Sequence, residues 1–152
     1  MKNNHQFHKS LLREYDIRGI INETLFEEDA KIIGKIFGTL IIKNNGKSIV
    51  IGRDGRHSSP LMENALAEGL LSAGLTVYRI GGCPTPQLYF AVHQLNTDGG
   101  IMVTGSHNPP NYNGFKLMLG TNPFFGNDIQ SMKKLAQQGR YESELGIEIK
   151  KN

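Results

Sequence analysis

Apolar residues recur along the chain with a helical period in some stretches and as short unbroken runs in others. In "EEDAKIIGKIFGTLIIKNNG" (residues 27–46), Ile33, Ile36, Phe37, Leu40 and Ile41 fall at i, i+3, i+4, i+7 and i+8. That spacing predicts one amphipathic helix. Acidic residues open it and Gly46 follows it, as the helix dipole and C-cap chemistry favour. "SIVIG" (48–52) reads as a short strand. "SSPLMENALAEGLLSAG" (58–74) reads as a helix, with Ser59 as N-cap and Pro60 at the first helical position. Met62, Leu66, Leu70 and Ala73 line one of its sides, and Gly74 stops it. "LTVYRI" (75–80) is the next strand. "TPQLYFAVHQLN" (85–96) is a helix with Leu88, Ala91, Val92 and Leu95 in step. "GGIMVTG" (99–105) and "GFKLML" (114–119) read as strands, "NDIQSMKKLAQQG" (127–139) as a last helix, and "LREYDIRGI" (12–20) as a strand or an extended segment. The polar start (1–12) is expected to be loosely held. The charged tail (140–152) shows no packing period and reads as a linker.

Strands alternate with helices from residue 48 to 105, which predicts βαβ units. "GFKLML" follows "GGIMVTG" too closely for a crossover helix, so it is expected to pair antiparallel. The fold class is therefore α/β: three layers, α/β/α, around a mixed and largely parallel sheet. Ligands of such sheets bind outside the carboxyl ends of the strands. "GGIMVTG" delivers Ser106 to that position.

Composition narrows the function classes. A net charge of +3 without a Lys/Arg run gives no footprint for nucleic acid. No apolar run is long enough to span a membrane, and the N-terminus lacks a signal-peptide core. The single cysteine, Cys83, excludes an intramolecular disulfide and reads as a buried small residue in a turn. A cytoplasmic location is expected. His5 and His8 are assigned no role, since no further ligands stand near to complete a metal set.

The stretch "TGSHNPPNYNGFK" (104–116) is specified far beyond the needs of a turn. Asn108-Pro109-Pro110 opposes the helix that usually follows such a strand, and "NYNG" supplies turn residues. Gly105 lets a ligand or another backbone come close to Ser106. His107 and Lys116 add donors, and Lys116 adds charge. A serine so placed is a candidate nucleophile or phosphate carrier. A hydrolase triad does not fit. The nucleophile elbow needs Gly two residues before and after the serine, and Thr104 and Asn108 stand there. On extended backbone His107 would also point away from Ser106. "NNGKS" is not a nucleotide loop: Ile41 occupies its first glycine position, and a strand rather than a helix follows.

"TGSHNPPNYNGFK" closely resembles the phosphoserine loop of the α-D-phosphohexomutases, the phosphoglucomutase and phosphomannomutase family. "REYDIRG" (13–19), "GRDGRHSSP" (52–60) and "PTPQLYFAV" (84–92) resemble other signatures of that family's first domain, in the same order. The resemblance runs from residue 12 to 139. It implies that Ser106 carries a phosphate, which passes to a hexose phosphate to form a bisphosphorylated sugar. Return of the other phosphate then interconverts hexose 1-phosphate and 6-phosphate. It implies that Arg18 and Lys116 contact the transferring phosphoryl group, where cations stabilise developing charge. His107 is implied beside the serine. Tyr15 and Asn108 are implied on the substrate side, with Asn108 chiefly ordering the loop. "GRDGR" reads as structural, with Asp54, Arg53 and Arg56 pinning the turns that face the serine loop.

The resemblance also implies what this sequence lacks. The family enzymes have four domains. Their Mg²⁺ is held by the serine phosphate, here Ser106, and by an Asp-Gly-Asp-type loop of the second domain, which has no counterpart here. Residues 1–139 are expected to be the first domain, with 140–152 leading toward the second. The expected partners are hexose phosphate and the remaining domains of the same polypeptide, with glucose 1,6-bisphosphate as activator or intermediate. This chain alone is expected to be inactive. The alternative is a standalone, non-catalytic module that binds phosphosugars or docks on a partner.

Overall fold

The computed structural model describes residues 4–151. Its elements in chain order are β1 (Ile17–Ile20), α1 (Glu27–Lys43), β2 (Ser48–Arg53), α2 (Ser59–Ser72), β3 (Thr76–Gly82), α3 (Thr85–Gln94), β4 (Gly99–Val103), β5 (Tyr112–Leu119), β6 (Asn122–Pro123), α4 (Asn127–Gln138) and β7 (Ile147–Lys150). The sheet runs β1-β5-β4-β2-β3-β7, with β6 on β5. β2 is parallel to both β3 and β4, and β7 is parallel to β3. β5 runs antiparallel to β4 and β1, as its short connection requires.

Two apolar clusters separate the layers. The larger joins α1, α2 and α4 to one face through residues such as Phe37, Leu66, Ile101, Phe115 and Met132. The smaller joins Leu88 and Val92 of α3 to Val50, Met102 and Met118 on the other face. The three-layer α/β/α architecture is as expected. All five stripe positions of α1 are in or against the larger cluster.

α1 and α2 cross at glycines. A Cβ on Gly69 would lie 2.0 Å from the carbonyl oxygen of Lys31, and one on Gly34 would lie 2.4 Å from that of Leu66. Only Gly lets the two backbones come this close. The left-handed residue after α1 is Asn45 (φ 65°), not Gly46, whose Cβ would instead strike Ile41 and Asp98.

Four expectations are corrected. The start of the chain is not loosely held where it is described: Phe7 and Leu11 are buried in the larger cluster. His5 has a structural role, its Nε2 lying 2.6 Å from Asp29 Oδ1, while the other carboxylate oxygen caps α1 by accepting the Phe26 N–H. The tail is more than a linker, because 147–150 form the edge strand β7 on β3. Ile147 is exposed and Ile149 only half-buried, so main-chain pairing more than side-chain burial holds β7; its alternation, Ile-Glu-Ile-Lys, is as short as a strand signal can be. Cys83 is only half-buried; its Sγ lies where a Cβ on Gly52 would come within 2.9 Å. Burial and then the charge of Glu63 push its thiol up.

Candidate functional site

β2 connects through α2 to β3 on one side of it. β3 returns through α3, on the opposite face, to β4 on the other side. The loops leaving β2 and β4 therefore diverge at a topological switch point, where open α/β sheets bind ligands. Those two loops are "RDGR" and the serine loop.

Their junction is built on Asp54 and Arg56. Asp54 Oδ2 accepts from Arg56 Nε (3.1 Å), Thr104 Oγ1 (2.9 Å) and the Gly105 N–H (3.1 Å). Its Oδ1 accepts from the Arg56 N–H and from Ser59 Oγ. Burial alone would push the Asp54 carboxyl up. The hydrogen bonds from Ser59, Arg56, Thr104 and Gly105 outweigh it, and the group is held below the ordinary carboxylate range. Arg56 spends its terminal nitrogens on four loop carbonyls. Nη2 donates to Ser106 O (2.9 Å) and Asn108 O (2.7 Å), and Nη1 to Pro109 O (2.6 Å) and Tyr112 O (3.2 Å). "GRDGR" thus has the structural part expected of it. Arg53 does not: it turns to Glu63, at 3.1 Å.

Two further expectations change here. The group that packs against Gly105 is the Arg56 guanidinium rather than another backbone: a Cβ would lie 2.4 Å from its Cζ. Ser59 does not cap α2. Ser58 holds the cap position without a side-chain bond, and Ser59 serves Asp54.

Ser106 sits in the left-handed region at φ 56°. A non-glycine residue pays about 1–3 kcal/mol for such a conformation and keeps it only where its surroundings dictate it. Here they do: Thr104 Oγ1 accepts the Ser106 N–H (3.0 Å), and Arg56 holds its carbonyl. The expected extended backbone at Ser106 is therefore wrong, and with it the argument that His107 must point away. His107 is exposed, and its ring makes no hydrogen bond among the described residues. The triad still fails on its motif spacing. The Ser106 hydroxyl, partly exposed, is also without a hydrogen-bond partner among the described residues.

The remaining candidates fall into two groups. Arg18 Nη1 donates to Asn108 Oδ1 (3.2 Å) across 90 positions of sequence, and Nη2 pairs with Asp16. Its Nε is buried with no partner. Asn108 also closes the loop by donating its N–H to Gly105 O (3.1 Å). So Arg18, Asn108 and the Ser106 loop form one hydrogen-bonded unit. Tyr15 and Lys116 instead line a neighbouring hollow of about 370 Å³ with Tyr89, Phe124 and Phe125. Tyr15 is 75% exposed and stacks on Phe125, ring centroids 6.1 Å apart. No hydrogen bond joins Lys116 to Ser106, and Lys116 has no ion-pair partner among the described residues.

Sequence reasoning missed Asn113, which "NYNG" had placed in a turn. It lies in β5, fully buried, and donates to Ser58 Oγ (2.8 Å) and Ser59 Oγ (3.0 Å) while accepting from the Gly114 N–H. It ties the far end of the serine loop to the start of α2. Nothing in a turn-rich tetrapeptide distinguishes a buried asparagine from an exposed one.

The arrangement presents a free hydroxyl on a locked loop, two guanidiniums bonded to that loop, Arg56 and Arg18, and a lysine in the adjoining hollow. Among the described residues no side-chain base is hydrogen-bonded to Ser106, which suits accepting or holding an anionic group better than activated hydrolysis. Among the described residues no His, Cys, Asp or Glu cluster could hold a metal, and Asp16 and Asp54 are taken up by Arg18 and Arg56.

The model of phosphoglucomutase/phosphomannomutase, alpha/beta/alpha domain I, matches residues 9–141. The chain belongs to that family. It is 38% identical over 137 residues to a phosphomannomutase/phosphoglucomutase of Pseudomonas aeruginosa, covering 90% of this chain and 30% of the relative. It is 39% identical over 130 residues to a phosphoglucomutase of Neisseria meningitidis, covering 86% and 28%. A solved structure of a phosphoglucomutase/phosphomannomutase family protein from Burkholderia thailandensis superposes with a TM-score of 0.92 at 39% identity, over 97% of this chain and 34% of that one. The chain thus spans about 30% of the length of the curated relatives it matches. No described helix is long and apolar enough to cross a membrane.

Proposed function

We propose that this chain is the phosphoserine-bearing domain of a phosphohexomutase, with Ser106 as the phosphate carrier. The observation that carries the reading is the strained, over-determined backbone of Ser106, which leaves its hydroxyl free at the carboxyl end of β4. Strain of this kind is kept where a group must be presented in one orientation.

The Ser106 oxygen carries the phosphoryl group and gives it to a hydroxyl of a hexose phosphate. The serine is left as a hydroxyl, and the sugar becomes a bisphosphate. Transfer of the sugar's other phosphate back to Ser106 completes the interconversion of 1- and 6-phosphates. Arg18, bonded to Asn108, and Lys116, in the hollow beside Tyr15, supply positive charge for the phosphoryl oxygens, and charge stabilisation is most of what this transfer needs. His107 lies exposed next to Ser106 in the chain. Mg²⁺, when bound, neutralises phosphate charge. Among the described residues only the Ser106 phosphate would offer it an oxygen ligand, since no carboxylate cluster there could hold a metal. On this reading the chain needs ligands from the rest of the polypeptide before it can act as a mutase.

Phosphopeptide mapping tests the carrier. After incubation of the complete mutase containing this chain with glucose 1,6-bisphosphate, phosphate is expected on Ser106. Ser106→Ala is expected to lose it together with nearly all mutase activity. Phosphate on another residue, or full activity in the Ala variant, overturns the reading.

A further inference from the structure

On the flank of β2 away from the serine loop, the ends of β2, β3 and β7 border an open cavity of about 230 Å³, lined by the side chains of Arg53, Glu63, Arg79, Lys150 and Lys151 and floored by Ile80 and Gly81. Glu63 is 1% exposed. Its Oε1 accepts from both Arg53 Nη1 (3.1 Å) and Arg79 Nη2 (2.7 Å), whereas its Oε2 is buried without any partner. Arg79 is further engaged by Glu148 and Asn64. Lys150 and Lys151 have no ion-pair partner among the described residues. The wall therefore makes two demands. Its four cations exceed Glu63 and Glu148, which calls for an anion. A buried acceptor left unpaired is costly, which calls for a hydrogen-bond donor beside it.

From these two demands we infer that the cavity is a second anion site, separate from the serine loop, for an oxyanion that also carries an O–H group. Hydrogen phosphate is the simplest such ligand. Its charged oxygens meet Arg53, Lys150 and Lys151, and its O–H donates to Glu63 Oε2. Sulfate has the same shape and charge but no proton to give, so Glu63 discriminates against it.

Backbone amide NMR of the purified protein tests this, with inorganic phosphate and sulfate titrated at pH 7.5 and matched ionic strength. Saturable shifts at Ile80 and Gly81 are expected, with phosphate bound about tenfold more tightly than sulfate, the scale of one hydrogen bond to a charged group. Replacing both exposed lysines, Lys150→Ala with Lys151→Ala, should weaken phosphate binding by about tenfold without disturbing the fold. Glu63→Gln should abolish the preference, since an amide N–H then faces either anion. Ser106→Ala should leave the Ile80 and Gly81 shifts unchanged, so failure of the phosphoserine reading and failure of this one are told apart. Equal, unsaturated shifts with both salts mean an adventitious ion only. That result, or indifference of the phosphate response to loss of the lysines, overturns the proposal.

Discussion

The Arg56 guanidinium lies directly over the Cα of Gly105, so close that a methyl group there would fall 2.4 Å from its Cζ. Arg56 can reach the carbonyls of Ser106, Asn108, Pro109 and Tyr112 because residue 105 has no side chain. One support of the serine loop is thus a contact between two residues on different loops, 49 positions apart in sequence.

Gly105→Ala is accordingly expected to lose about 1–3 kcal/mol, the usual cost of overpacking. Arg56→Ala is expected to lose about 2–4 kcal/mol, because it strips four carbonyls and leaves Asp54 without its cation. The two losses should not add. In the Arg56→Ala background, Gly105→Ala should be almost neutral, since its obstacle is gone. Urea denaturation of the four proteins measures the coupling, and additive losses would exclude the contact.

Asp54 sets an acid limit. Its carboxyl is held below its ordinary value in the folded chain, so the unfolded state takes up the proton more readily. The stabilisation is fully present above the unfolded value of about 4 and is lost as pH falls through the lower folded value. Stability against urea should therefore fall between pH 5 and the most acidic pH at which the protein stays soluble. Asp54→Asn should be less stable at pH 7 and show a flatter acid dependence. An unchanged slope in that variant would remove Asp54 from the account.

Ser106 should resemble a strained residue when replaced. Ser106→Gly adopts φ 56° freely and should equal or exceed the parent by up to about 1 kcal/mol, whereas Ser106→Val should lose about 1–2 kcal/mol. Thermal unfolding of the pair reads the sign. A destabilised Gly variant beside a tolerated Val variant would contradict the left-handed backbone.

The helix crossing makes a separate prediction. Gly69→Ala drives a methyl group against the Lys31 carbonyl and the Gly34 backbone and should cost about 3 kcal/mol. The exposed Gly55, where a Cβ would meet nothing within 4 Å, should accept Ala with little change. Similar losses at both positions would mean that the helices do not cross at their glycines.

Much of this protein is decided locally and can be read from the chain. The apolar stripe of α1 and the short runs of β2, β3 and β4 can be buried in only one way each, so their periods determined the layers. The prolines after Asn108 excluded a helix, and the short step to β5 excluded a parallel pairing. The serine loop, too, was legible as a place of special chemistry, because so many residues of restricted geometry stand together in it. Tertiary structure decided the rest, for one physical reason: the partners are distant in sequence. Nothing near Gly105 announces that Arg56 will lie over it, nothing near Ser59 that its hydroxyl serves Asp54, and nothing near Asn113 that it will be buried. The left-handed backbone of Ser106 follows from bonds that exist only once β2 and β4 lie side by side. The edge strand β7 forms because β3 leaves it an unpaired edge, a fact about the assembled sheet and not about "IEIK".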